Sequence, residues 1–275
     1  MRQRQKYRAC RAHWWTNDVL CRLRREHGEQ LTLIDADLTE EADLQHIGST
    51  VSARTGALHL VINAAGMLHA ADMQPEKSLD QITKANLERV FALNAFAPIL
   101  LAKSLMPLLS HSQPAVFASL SARVGSISDN RSGGWYAYRG SKAAQNQLMK
   151  TFAIELARRN RNGFCLLLHP GTVDTPLSAP FQARVPVEKL FSATKAASQL
   201  LAIIARSTPA DTGRLIDRRF LTRLQTFGMD YAEVIETDPD QDSMPGCPSV
   251  IMDALRYAIS HFKKLVVWMS RLADR

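Results

Sequence analysis

Leu58-His-Leu-Val-Ile-Asn63-Ala-Ala-Gly66 is the stretch on which the fold turns. It is apolar without polar alternation over the length of one strand, which predicts a strand buried on both faces, as in parallel sheets. Two further runs repeat the pattern, Ala115-Val-Phe-Ala-Ser-Leu120 and Gly163-Phe-Cys-Leu-Leu-Leu-His169. Leu31-Thr-Leu-Ile-Asp-Ala-Asp37 is a shorter β-rich run that ends in acidic residues. Between them the spacing predicts helices over 78–109, 137–158 and 191–205, the first bent or broken at Pro98. Alternation of this kind predicts an α/β fold, a doubly wound parallel sheet with helices on both faces.

Composition fits that class. The 275 residues are 46% hydrophobic and 22% charged, which excludes a disordered, collagenous or low-complexity chain. No apolar run approaches the ~18–20 residues of a membrane span, and the basic N-terminus lacks the apolar core of a signal peptide. Cys10, Cys21, Cys165 and Cys247 have no CxxC spacing, so no metal site or disulfide framework is expected and a reducing cytoplasm is the default. Residues 1–27 hold eight basic side chains against Asp18 and Glu26, and so supply +6 of the net +8. With no nucleic-acid module behind it, that basic end reads as a solvated tail or an aid to a phosphate-bearing ligand rather than a nucleic-acid surface.

The C-terminal part breaks the alternation. Residues 238–248 are turn-rich, and Ile251, Leu255, Ile259, Phe262, Val266 and Met269 form a helical stripe over 250–272. An amphipathic helix packed on its own domain or on a partner is expected there. The Asp238-x-Asp-x-Asp242 run lacks the Gly and Glu of a calcium loop, having Ser243 and Ser249 instead. The expected division is a basic segment 1–30, an α/β domain 31–213 and an atypical extension 214–275.

Chemistry concentrates in Trp135-Tyr-Ala-Tyr-Arg-Gly-Ser-Lys142. Tyr138 and Lys142, four apart on a helix, share one face. A phenol is a poor acid–base group at neutral pH, and an ammonium close by lowers its pKa. Asn63-Ala-Ala-Gly66 ends one strand, Ser119 and Ser121 end the next, and Pro170-Gly171-Thr-Val-Asp-Thr175 follows the third. Asn94 lies on the helix after the first of these. All fall at carboxyl ends of strands or on adjoining helices, where open parallel sheets bind ligands.

In these motifs and their order, from about residue 8 to about residue 214, the chain resembles the classical short-chain dehydrogenases/reductases, and SARVGSISDN…GGWYAYRGSKAAQNQLMK is most similar to their C-factor-type and carbonyl-reductase-like branch. The resemblance implies a Rossmann-like sheet and a hydride transfer between a nicotinamide cofactor and a carbonyl or alcohol substrate. It implies Tyr138 as general acid/base, Lys142 on the nicotinamide ribose, Asn94 positioning a relay water, and Thr175 and Pro170 beside the carboxamide. Asp37 would contact adenine, and Asn63, Ala64 and Gly66 would line the adenosine pocket. The family's serine precedes a glycine by three, and counting back from Gly125 gives Ala122. Ser121, brought round by a one-residue bulge, is therefore the expected carbonyl polariser, with Ser119 as the fallback. Arg11 falls where some members contact a 2′-phosphate, which favours NADP(H) over NAD(H). The partners implied are a small carbonyl or alcohol and a compatible homo-oligomer, with no membrane span and no nucleic acid.

The resemblance also exposes a gap. The family opens with a strand, a glycine-rich turn and a helix that binds the pyrophosphate, whereas the first glycine of this chain is Gly28. The segment 7–11 matches the end of the family's second strand, so the first strand and its turn are missing. Losing a central strand leaves unpaired N–H and C=O groups on its neighbours. Another segment fills the gap, or the chain is a fragment, or it is a degenerate relative that serves as a catalytically silent binding or structural protein.

Overall fold

The computed structural model describes residues 18–28, 31–217 and the backbone of 266–269. At its centre are β1 (Leu60–Asn63), β2 (Ala115–Leu120) and β3 (Gly163–His169), parallel and adjacent, with β6 (Arg214–Asp217) parallel beyond β3. Every residue of β1 and β2 is buried, as their unbroken apolar runs require. Alternate residues serve opposite faces. Leu60, Ile62, Val116, Ala118, Leu166 and Leu168 meet α6 (Ala193–Arg206), while Val61, Phe117, Cys165 and Leu167 meet α2 (Glu41–Ser52), α4 (Ala97–Leu109) and α5 (Tyr136–Arg159). The sheet is thus covered by helices on both faces, as expected. A two-stranded ladder, β4 (Thr172–Val173) with β5 (Leu190–Phe191), follows β3, and α1 (Asp18–His27) precedes the sheet in the chain.

The predicted helix over 78–109 begins later. Residues 79–81 form a short 3₁₀ turn, and α3 (Lys84–Phe91) starts where the Thr83 hydroxyl accepts the Asn86 N–H at 3.2 Å. A π-turn, Ala92–Phe96, joins α3 to α4. Pro98 accounts for it: with no N–H, proline cannot bond the carbonyl four residues back, that of Asn94, and the turn widens. This 84–109 helix is long and apolar enough to cross a membrane. Its apolar side, from Leu93 to Leu109, is nevertheless packed into the core.

Three expectations are corrected. Residues 31–37 form no strand, because among the described residues no strand lies beside them to take their N–H and C=O groups. The extension after 213 begins with β6, a strand of the main sheet, rather than with unrelated structure. Within the expected 250–272 helix, Val266–Met269 is a strand, β7, paired antiparallel to β1 with Leu60 opposite Met269 and Asn63 opposite Val266. The run Val-Val-Trp-Met favours a strand, and the β1 edge supplies the unpaired groups that fix it. The gap left beside β1 is therefore occupied by another segment of the same chain. The rest of that expected helix, the 238–248 linker and Arg11 lie outside the described residues.

Candidate active site

Helix α5 delivers the central pair. Tyr138 and Lys142 stand one turn apart, both buried, with the Lys142 Nζ 6.0 Å from the centre of the Tyr138 ring. Lys142 Nζ donates to the Leu120 carbonyl at 3.0 Å and to Gln145 Oε1 at 2.8 Å. Gln145 Nε2 in turn donates to Ser119 Oγ at 2.8 Å, which also accepts from Asn63 Nδ2 at 3.1 Å. A buried polar chain thus links the ends of β1 and β2 to α5 and fixes the lysine. Close packing enforces the geometry, since a Cβ on Gly125 would approach the Lys142 carbonyl carbon to 2.7 Å.

Asn94 is buried beside Ser141 of α5, and its amide is committed. Oδ1 accepts the Met67 N–H at 2.7 Å, and Nδ2 donates to the Met67 carbonyl at 2.8 Å and to Ser141 Oγ at 3.1 Å. It clamps the loop after β1 to α5. Its main-chain carbonyl is the group that Pro98 leaves without a donor four residues on.

The serine expectation is corrected. The Ser121 N–H pairs with the Leu168 carbonyl at 2.8 Å, so the chain stays in register without a bulge. The Ser121 hydroxyl therefore turns to Asn146 Oδ1, at 2.5 Å. Ser119 is fully buried in the polar chain beneath the site. What packs against Tyr138 is Ala122, together with Leu68, Val124, Trp135, Leu177 and Phe181. The rings of Trp135 and Tyr138 meet edge-on at 6.2 Å, and those of Trp135 and Phe181 at 5.0 Å. His69 Nε2 reaches the Pro176 and Leu177 carbonyls at 3.1 and 3.2 Å, tying the loop that carries this wall to the loop after β1. Two surface cavities, of about 360 and about 250 Å³, do not include Tyr138, and the smaller is lined by His169, Gly171 and Thr172 at the end of β3.

Burial sets the electrostatics. It pushes the Tyr138 phenol up to about 12 and the Lys142 ammonium down to about 7. The expected lowering of the tyrosine by its lysine is overruled: removing both groups from water disfavours both charged forms.

The expected cofactor contacts divide. Pro170 and Thr175 follow β3, both buried, with the Thr175 hydroxyl donating to the Val173 carbonyl at 3.3 Å. Asn63, Ala64 and Gly66 are buried at the end of β1, with the Asn63 side chain turned inward to Ser119. Asp37 Oδ1 accepts the N–H and hydroxyl of Thr39 in a turn of its own. Around Tyr138, Lys142 and Thr175, the structure fits the nicotinamide-ribose end of a dinucleotide, since Lys142 keeps one of its three N–H donors beyond the two in use. Among the described residues the diphosphate is not matched, because no glycine-rich turn stands at the β1 edge, along which β7 lies.

Sequence reasoning did not find Gln145, Glu76 or the contact of Phe181 with Trp135. Gln145 was within reach, three residues from Lys142 on one helix face. Glu76 had no local signal, since only the folded chain brings it to α5, whereas the apolar content of 176–187 (Leu177, Phe181, Val185) already hinted at a hydrophobic substrate.

A parallel sheet ending in a buried tyrosine–lysine pair defines an oxidoreductase of the short-chain dehydrogenase type. The chain belongs to that family, whose short chain dehydrogenase model matches residues 13–186. Among similar proteins, the C-signal protein of Myxococcus xanthus is 32% identical over 165 residues, 59% of this chain and 90% of that one. A 1-hydroxy-2-glutathionyl-2-methyl-3-butene dehydrogenase of Rhodococcus sp. strain AD45 is 30% identical over 178 residues, 65% and 73% of the two chains. A carbonyl reductase of Pseudomonas aeruginosa PAO1 superposes with a TM-score of 0.58 at 27% identity, covering 73% of this chain and 80% of that one. The NADPH-bound carbonyl reductase of chicken fatty liver shares the fold, with a TM-score of 0.63 at 24% identity over 73% and 79% of the chains.

Proposed function

We propose that this chain reduces an apolar carbonyl compound, with Tyr138 as proton donor and NADP(H) favoured over NAD(H). The observation that carries the reading is the buried Tyr138–Lys142 pair at the carboxyl end of the sheet, facing an apolar wall. A reduced nicotinamide, when bound, supplies a hydride to the carbonyl carbon. The Tyr138 hydroxyl gives its proton to the carbonyl oxygen as the C–H bond forms, so that one proton is consumed for each alcohol made. Lys142 returns a proton toward the tyrosinate in this reading, and Asn94 positions the water that resupplies Lys142. Burial keeps the phenol protonated, with a pKa of about 12, so Tyr138 enters the reduction in its proton-donating form. Leu68, Trp135, Leu177 and Phe181 exclude water and suit an uncharged, hydrophobic substrate. The NADP(H) preference rests on Arg11 and the basic N-terminal segment, and a cytoplasmic site of action on the cysteine pattern. Turnover of hydrophobic aldehydes and ketones with millimolar NADPH tests the reading. Tyr138→Phe is expected to abolish it with the circular dichroism spectrum unchanged, and a phenylalanine variant as active as the parent would overturn it.

A further inference from the structure

Helix α5 begins without a cap of its own. Trp135, which precedes it, is left-handed at φ +53°, and its side chain makes no capping bond. The first N–H groups of a helix need acceptors from elsewhere. They find them on Glu76, a residue of the segment between β1 and α3 that is only 3% exposed. Glu76 Oε2 accepts the Ala137 N–H at 3.2 Å, and the Glu76 main-chain carbonyl accepts the Trp135 N–H at 2.5 Å. The approach to the helix is shaped around this one residue. Gly133 and Gly134 are left-handed at φ +62° and +64°, and a Cβ on Gly134 would come within 3.3 Å of the Glu76 carbonyl oxygen. Three successive left-handed residues therefore fold the chain onto Glu76 before the helix starts. The carboxylate side chain also complements the positive end of the helix dipole.

We propose that Glu76 is a positioning residue for the proton donor, fixing the first turn of α5 so that the Tyr138 hydroxyl faces the reacting carbonyl. The inference rests on the reading of Tyr138 as proton donor. Ala137, whose N–H Glu76 holds, is the residue immediately before Tyr138, and it is packed against Met73 and Val90 on the same side. Trp135, whose N–H Glu76 also holds, presses its ring edge-on against Tyr138. Glu76 thus controls the residues on the N-terminal side of the tyrosine, whereas Lys142, a turn further in, is held independently by Leu120 and Gln145. Loss of Glu76 should disturb Tyr138 and leave Lys142 in place.

The test compares Glu76→Ala with Glu76→Gln, which keeps an acceptor oxygen. In Glu76→Ala the amides of Ala137 and Tyr138 should exchange with deuterium at least roughly tenfold faster, while those of the core residues Met149 and Leu156 keep their rates. The ¹³Cζ resonance of Tyr138, assigned with Tyr138→Phe, should titrate lower than in the parent as the ring gains water. Carbonyl reduction should fall in kcat by roughly tenfold or more, and Glu76→Gln should restore all three readouts to near the parent values. Should the alanine variant not fold, Glu76→Asp, one methylene too short to reach Ala137, replaces it. Unchanged exchange and an unchanged Tyr138 resonance in either shortened variant would overturn the positioning role. Full activity in Tyr138→Phe would instead remove the proton-donor reading, and the role of Glu76 with it.

Discussion

Lys142 is a cation that the fold holds at a cost. Its ordinary pKa of 10.5 falls to about 7 because burial removes the ammonium from water. The unfolded chain therefore keeps this proton up to about pH 10.5 and the folded chain only to about pH 7, so the lysine makes stability rise with pH between those limits. Lys142→Met should lose that rise, about 1.4 kcal/mol per pH unit, making the variant's relative stability greatest near pH 7 and smallest near pH 10. Urea unfolding at pH 7, 8.5 and 10 checks this, and equal slopes in the two proteins contradict it. Ala122 is the complementary case, a residue packed against Tyr138 where a hydroxyl could serve the carbonyl oxygen. Ala122→Ser should raise kcat by roughly tenfold or more, since a single oxyanion donor is commonly worth ~10²–10³. An unchanged kcat in a correctly folded variant would show that the site does not use a donor at this position. The pair Tyr138 and Lys142 was legible because four-residue spacing on a helix fixes a shared face. The orientation of Ser121 was not, because it depends on the register of the Leu168 pairing, which lies between two strands distant in sequence.

Elements were legible where their pattern is self-sufficient. β2 and β3 match their apolar runs residue for residue, and α5 exceeds its expected span by one residue at each end. The elements that differ are those whose form depends on a neighbour. Residues 31–37 carry strand-forming side chains but lack a partner, and a lone strand cannot satisfy its own backbone. Val266–Met269 carries a helical stripe on one reading and a β-rich run on another, and the open edge of β1 decides between them. The π-turn at Ala92–Phe96 is intermediate. The proline that causes it is visible in the sequence, but the outcome, a widened turn within a continuing helix rather than a break, is decided by packing of α4 along the sheet. That turn bears on the site, because Asn94 lies within it.

At the scale of the whole molecule, the direction of β7 bears on what the site can hold. In a dinucleotide fold, the strand beside β1 runs parallel to it and ends at the site, so the helix that follows presents its N-terminal N–H groups to the diphosphate. β7 runs the other way: Val266 lies beside Asn63 at the site end, and Met269 beside Leu60 at the far end. Whatever follows β7 leaves from the far end, and among the described residues no glycine-rich turn at the β1 edge replaces the missing helix N-terminus. Charge-assisted hydrogen bonds contribute about 1.5–3 kcal/mol each, so the absence of two corresponds to about two to four orders of magnitude in affinity. The dinucleotide without a 2′-phosphate should therefore bind little better than its nicotinamide half. Titration by nicotinamide fluorescence should give NADH and reduced nicotinamide mononucleotide dissociation constants within about tenfold of each other. NADH binding more than about a hundredfold tighter would show that another segment holds the diphosphate, and the argument from strand direction would fail. Binding of neither compound at millimolar concentration would contradict the nicotinamide reading of the Tyr138–Lys142 site itself.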